Sequence, residues 1–172
     1  ISSIASQVPV NGMWCRTSSE YFANMGDINL ILSFIAEDEY DVATPNGRGK
    51  SPNECLARLS RAICGDALML TRDQLKIIAK YVYEKVVEKV FEGLIQVLSY
   101  LASNGALVDI GLAVGLGDFI AKNAIERAGL KAIMLRDYIG RDNTIALTSA
   151  SLALYQAYKM GVDVEKWISS LR

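Results

Sequence analysis

The 172-residue chain contains no histidine. It therefore lacks the side chain best matched to proton transfer near neutral pH, which is also the commonest metal ligand. A Ser-His-Asp or Cys-His nucleophile is excluded within the chain. Cysteine is sparse: Cys15, Cys55 and Cys64 are an odd number without metal-ligand spacing. On one helix Cys55 and Cys64 would lie about two and a half turns apart and face opposite ways. Asn-X-Ser/Thr is also missing. The odd cysteine count and the missing glycosylation signal point to the cytoplasm or another reducing compartment. Excess charge is absent too, since 18 basic residues face 19 acidic ones. Net charge thus gives no indication of nucleic acid as a partner. No basic segment followed by an apolar run stands at the N-terminus, so no signal peptide is expected.

The most ordered pattern runs from Thr71 to Ala128. Thr71 and Gln74 have capping-box spacing. Leu75, Ile78, Ala79, Val82, Val86, Val90, Leu94, Val97 and Leu101 then recur at the helical period. Lys76, Lys80, Glu84, Glu88 and Glu92 mark a wet face. Between Gly93 and Gly117 the only charged residue is Asp109, so the second half of the helix is expected to be covered on most sides. Asn104-Gly105 is the natural stop. A second helix is expected from about Ala106 to Ala128. Gly111, Gly115, Ala113, Gly117 and Ala121 would form its small-residue lines, Leu112, Val114 and Leu116 would be buried, and Gly115 would have no room for a larger side chain.

Around this pair the chain reads as helices. Residues 1–17 read as an extended N-terminal arm, either a frayed terminus or a segment that packs on a neighbouring subunit, and 18–172 as a helical domain with an exposed loop over 38–53. Ser18 or Ser19 opens a helix to about Ala36. Glu37-Asp38-Glu39, with Tyr40 and Asp41, forms solvated loop. Ser51, Pro52 and Glu54 open a helix to about Leu70, with Arg58 and Arg61 on its wet face. Leu130–Ile139 and Asp142–Met160 read as further helices, and Val162–Leu171 as a last one anchored by Trp167. No strand is expected.

Gly47-Arg48-Gly49-Lys50-Ser51 is not read as a phosphate loop. Thr44 stands where the pattern needs glycine, no strand precedes it, and Pro52 follows. Asp109 and Asp118, isolated in apolar sequence, are the natural acidic candidates. On one helix they would face opposite sides, and Asp109 would serve the helix N-terminus. Arg136-Asp137 and Arg141-Asp142 read as surface ion pairs. No catalytic, cofactor-binding or metal residue is assigned, and no cofactor is expected.

The order of elements is an amphipathic helix, a long loop, a shorter helix and a hydrophobic central helix wrapped by others. In outline this resembles the Bcl-2 family, and pore-forming colicin domains share the wrapped hydrophobic hairpin. Arg61 stands where the Bcl-2 motif ending at Gly65-Asp66 carries leucine, and Asn104-Gly105 lacks the Trp-Gly-Arg that follows. That resemblance implies a membrane-active bundle inserting through 93–117. The residues themselves lead to an all-α bundle of six to eight helices. Its expected role is non-enzymatic: a coat, scaffold or complex subunit working through protein partners, self-association foremost.

Overall fold

The computed structural model describes residues 1–66, 68–164 and 166. It divides into two compact units, Ile1–Lys89 and Val90–Arg172, with one helix continuous across the division. The expected all-α bundle is corrected, because two small sheets stand beside the helices, one in each unit.

In the first unit, strands β1 (Gln7–Val10) and β2 (Met13–Arg16) form an antiparallel hairpin pairing Val8 with Cys15 and Val10 with Met13. Asn11 and Gly12 make its turn with φ of 50° and 79°, the paired left-handed conformation that fits a two-residue hairpin turn to strand twist. The segment read as an extended arm is thus a hairpin tied to its own unit. Val8 is wholly buried, Trp14 packs on Tyr81 with ring centroids 5.4 Å apart, and the Gln74 amide donates to Asn11 Oδ1.

Helix α1 (Met25–Ile31) is shorter than its periodicity suggests, and it starts at Asn24 rather than Ser18 or Ser19. Asn24 Oδ1 accepts from the Asp27 N–H at 3.2 Å, and Asp27 Oδ2 from the Asn24 N–H at 3.1 Å. Ser33, at φ 60°, turns the chain out of the helix. Helix α2 (Pro52–Arg61) begins where Ser51, Pro52 and Glu54 indicate, the Glu54 carboxylate accepting from the Ser51 N–H and hydroxyl. It ends well before Leu70, and Cys64 adopts φ 57° just beyond it. Helix α3 (Arg72–Ser103) has the Thr71–Gln74 capping box in place and stops at Asn104-Gly105. Leu75, Ile78, Ala79, Val82, Tyr83 and Val87 give it a buried stripe with Ile28, Leu59 and Val8 among the unit's other core residues.

In the second unit the expected helix from Ala106 to Ala128 is a strand, a turn and a shorter helix. Strands β3 (Ile110–Ala113) and β4 (Lys131–Met134) pair in parallel, joined by helix α4 (Asp118–Arg127). The expected helix over Leu130–Ile139 is accordingly β4 followed by the short α5 (Arg136–Ile139), and α6 (Arg141–Lys159) completes the described elements. The small residues act one by one. A Cβ on Gly111 would lie 2.7 Å from Ile125 Cγ2, so glycine sets how closely α4 covers β3. Gly115, at φ +90° with open space around it, makes the turn. The expected overpacking at Gly115 is therefore corrected: the obstacle there is backbone conformation. Leu112 points outward and is 55% exposed in the isolated chain, against the expected burial, because alternation along the strand sends Gly111 and Ala113 to the helix-covered face. The uncharged second half of α3 likewise leaves Val97 and Tyr100 exposed. The call on Trp167 lies outside the described residues.

Replacing Gly111 by alanine should destabilise the chain by about 1–3 kcal/mol through overpacking. Because the three atoms nearest to that Cβ all belong to Ile125, Ile125→Val in the same chain should recover part of the loss, giving a coupling above about 0.5 kcal/mol. Urea denaturation of the four chains in this cycle measures it, and strict additivity would show that the two residues do not oppose each other.

Candidate functional site

The first unit holds a buried polar cluster that spans three sequence segments. Asp27, on α1, is completely buried, and Arg58, on α2, is 2% exposed. Arg58 Nε donates to Asp27 Oδ1 at 2.8 Å, and Nη2 lies 2.7 Å from the same oxygen in an ion pair while donating to Cys55 Sγ at 3.3 Å. The remaining guanidinium nitrogen, Nη1, donates to the Gly49 carbonyl at 2.9 Å and to Asn46 Oδ1 at 3.3 Å, which draws the loop after residue 42 over the helix. Tyr40 is buried beside them. Its hydroxyl lies 2.8 Å from Asn24 Oδ1 and 3.1 Å from Asp27 Oδ1, with one proton to donate between them. Gly26 makes room for this ring, since a Cβ there would meet Tyr40 Cε2 at 2.6 Å. The expectations of a solvated Tyr40 and a water-facing Arg58 are both corrected by this cluster.

The electrostatics follow from burial. Burial alone would lower the Arg58 guanidinium, but hydrogen bonds and charge from Asp27 outweigh it and hold Arg58 above its ordinary value. Burial, followed by the negative charge of Asp27, raises the Tyr40 phenol. The same two causes push the Cys55 thiol from its ordinary 9.0 up to about 12. Cys55 therefore remains a protonated thiol in the folded protein, donating to the Lys50 carbonyl at 3.5 Å.

Beside this cluster lies an open cavity of about 340 Å³, bordered by Tyr21, Phe22, Asn46, Arg48, Arg58 and Arg61. In the loop that forms one wall, two backbone donors and the Lys50 side chain are engaged. The Gly47 N–H donates to the Thr44 carbonyl, the Arg48 N–H to Asn46 Oδ1, and the Lys50 ammonium to the Tyr40 carbonyl. Lys50 Nζ also sits 5.1 Å from the Tyr40 ring centroid. This is an Asx-type turn that closes on itself and leads into the α2 cap.

The second unit separates the two acidic candidates. Asp109 is exposed, and its carbonyl accepts the Lys131 N–H at 2.9 Å, extending the β3–β4 ladder. It caps no helix, contrary to expectation. Asp118, the first residue of α4, is fully buried and pairs through both oxygens with Arg136. Arg136 thus bonds across to Asp118. The pair links the residues just beyond the C-terminal ends of both parallel strands, the edge where open parallel sheets commonly bind ligands. Among the described residues no group of three His, Cys, Asp or Glu side chains is placed to hold a metal ion. Sequence reading did not single out Asn24 or Asp27, and it placed Tyr40 in solvated loop. The spacing of Asn24 and Asp27 was a usable signal, because it is a capping box just before Ile28.

Truncating Asp27 to alanine leaves Arg58 buried without its counter-charge and should cost about 3–5 kcal/mol in urea denaturation. The raised thiol makes a separate statement about pH. The unfolded chain ionises Cys55 above about 9, the folded chain only near 12. The stabilisation is therefore complete below pH 9 and lost as pH rises from 9 towards 12. Cys55→Ala should flatten that part of the stability curve. Parallel curves for the two proteins would rule out a raised thiol.

A family model described as Hydantoinase/oxoprolinase matches residues 3–156. A curated relative from Methanocaldococcus jannaschii is 34% identical over 153 residues, covering 89% of this chain and 44% of that protein. It is named (4-{4-[2-(gamma-L-glutamylamino)ethyl]phenoxymethyl}furan-2-yl)methanamine synthase. A protein of the same name from Methanococcus vannielii is 26% identical over 158 residues, covering 90% of this chain and 69% of its own length. The chain thus spans less than half the length of the first of these relatives. Both relatives carry enzyme names, which overturns the non-enzymatic scaffold and the alternative of a Bcl-2-like insertable bundle. Among the described residues no helix is long and apolar enough to cross a membrane. The match includes the hairpin, the buried cluster, the cavity and the parallel strand pair, and this chain belongs to the hydantoinase/oxoprolinase family.

Proposed function

We propose that the chain is part of a synthase whose product is of the kind named for its relatives, a phenoxymethyl-furan carrying a γ-glutamyl amide and a primary amine. The observation that carries this reading is the 34% identity spread over 89% of the chain. Forming a phenoxymethyl ether joins a phenol oxygen to a methylene carbon. The phenol gives up its proton and the methylene carbon its leaving group. The protein's main task in such a step is to hold two small reactants in line and keep water away. A histidine-free segment is compatible with that task, which depends on shaped, polar-edged cavities more than on one titrating base. The cavity beside Arg58 is such a feature, lined by the Tyr21 and Phe22 side chains together with three arginines.

The test is a chimaera in which this chain replaces the matching segment of the Methanocaldococcus jannaschii relative. Mass spectrometry should detect the named methanamine from the chimaera supplied with the substrates the parent uses. A folded chimaera that makes none, beside an active parent, would overturn the reading.

A further inference from the structure

We propose that the cavity between Tyr21–Phe22, the turn at Asn46–Arg48 and helix α2 is a carboxylate subsite. In it Arg48 and Arg61 take the carboxylate of a small aromatic substrate. Three observations converge on this. The cavity is about 340 Å³, within the range of small-molecule sites, which are largely apolar with a few placed polar groups. It is bordered by two aromatic side chains and three arginines. Those arginines are not equivalent. Arg58 is neutralised by Asp27 and fixed by its other bonds. Arg48 and Arg61 are exposed, and neither guanidinium has an ion-pair or hydrogen-bond partner among the described residues. Two unpaired positive charges at the border of a half-apolar cavity favour an anion, and guanidinium forks match the planar geometry of a carboxylate.

The turn argues against phosphate as the anion. A phosphate cradle is built from inward-pointing backbone N–H groups. Here the N–H groups of Gly47 and Arg48 are already donated to Thr44 and Asn46. The recognition chemistry left is that of side-chain guanidinium with an aromatic wall. Arg58, already paired with Asp27, holds the geometry. Its bonds to the Gly49 carbonyl and Asn46 Oδ1 place the turn that carries Arg48, and the same helix carries Arg61. A γ-glutamyl amide of a phenol-bearing amine fits this chemistry, with a carboxylate at one end and an aromatic ring at the other. That identification of the substrate rests on the proposed synthase reading.

The test is calorimetric titration of the full chain with γ-glutamyltyramine and with 4-aminobutanoyltyramine, which keeps the phenol, amide and ammonium and lacks only the carboxylate. γ-Glutamyltyramine should bind at least tenfold more tightly, and its affinity should fall with added salt. Arg48→Ala with Arg61→Ala should abolish the difference while leaving the urea midpoint unchanged, since both side chains are exposed. Lysine at both positions should restore part of it. Equal affinity for the two probes would overturn the subsite, as would a double variant that still discriminates. Displacement of γ-glutamyltyramine by inorganic phosphate at lower concentration than by free glutamate would overturn its assignment to carboxylate. The two readings fail separately. Discrimination by the chain beside a product-less chimaera would sink only the synthase reading. An active chimaera indifferent to both arginine changes would sink only the subsite.

Discussion

The first unit depends on one buried ion pair. Asp27 and Arg58 lie on different helices, and both are buried. Against two well-packed apolar residues such a pair contributes little net stability, but either charge alone would be costly. The pair therefore acts as a constraint. Every remaining donor and acceptor of the two groups must be satisfied by something, and that requirement selects the surroundings. Arg58 Nη1 needs acceptors, which the turn at Asn46–Gly49 provides. The Asp27 carboxylate needs donors beyond Arg58, which the Asn24 N–H provides and toward which the Tyr40 hydroxyl is directed. The long loop after Ile35 is thus held by electrostatics at its base, despite its loop-like composition. The cavity exists because that loop is fixed there.

The second unit solves its packing differently. Two parallel strands of four residues each cannot be joined by a tight turn, so α4 crosses between them and covers one face. Gly111 and Ala113 point to the covered face, and the absent Cβ at Gly111 lets Ile125 approach. Asp118 and Arg136 then join the two strand ends through a second arginine–carboxylate pair, more open than the first because the Arg136 side chain is 23% exposed. Parallel sheets are usually covered on both faces. The outward exposure of Ile110 and Leu112 marks the face that α4 does not cover.

What could be read in the sequence was local. The cap at Ser51–Glu54, the cap at Thr71–Gln74 and the stop at Asn104-Gly105 each follow from interactions within a few residues, and each stands where the residues place it. The strands were missed for two reasons. Asn11-Gly12 between Val10 and Met13 is a hairpin signal in its own right, but Pro9 and the mixed polarity of the flanks led to an arm being expected. Between Ile110 and Ala128 the small residues recur every four positions, so a strand and its turn gave the same spacing as a helix face. Glycine carries no side chain from which to tell them apart, and length alone did not decide. The buried cluster was illegible for another reason. Asp27 and Arg58 are 31 positions apart, and a charged residue looks solvated until its partner is known.

The inference from a histidine-free chain to a non-enzyme fails at a specific step. Absence of histidine removes one kind of proton transfer near neutral pH. It leaves transition-state binding, substrate alignment and electrostatic complementarity untouched, and those supply a large part of many rate enhancements. Arginine is the natural instrument of that remainder, since it stays charged at any working pH and presents its donors in a fixed fork. In this chain one arginine is spent on burying Asp27, and that spending positions the turn bearing another at the border of a half-apolar cavity. Which charged residues remain unpaired becomes visible only when the fold is known. Counting titratable residue types cannot find such a site, whereas counting satisfied charges can.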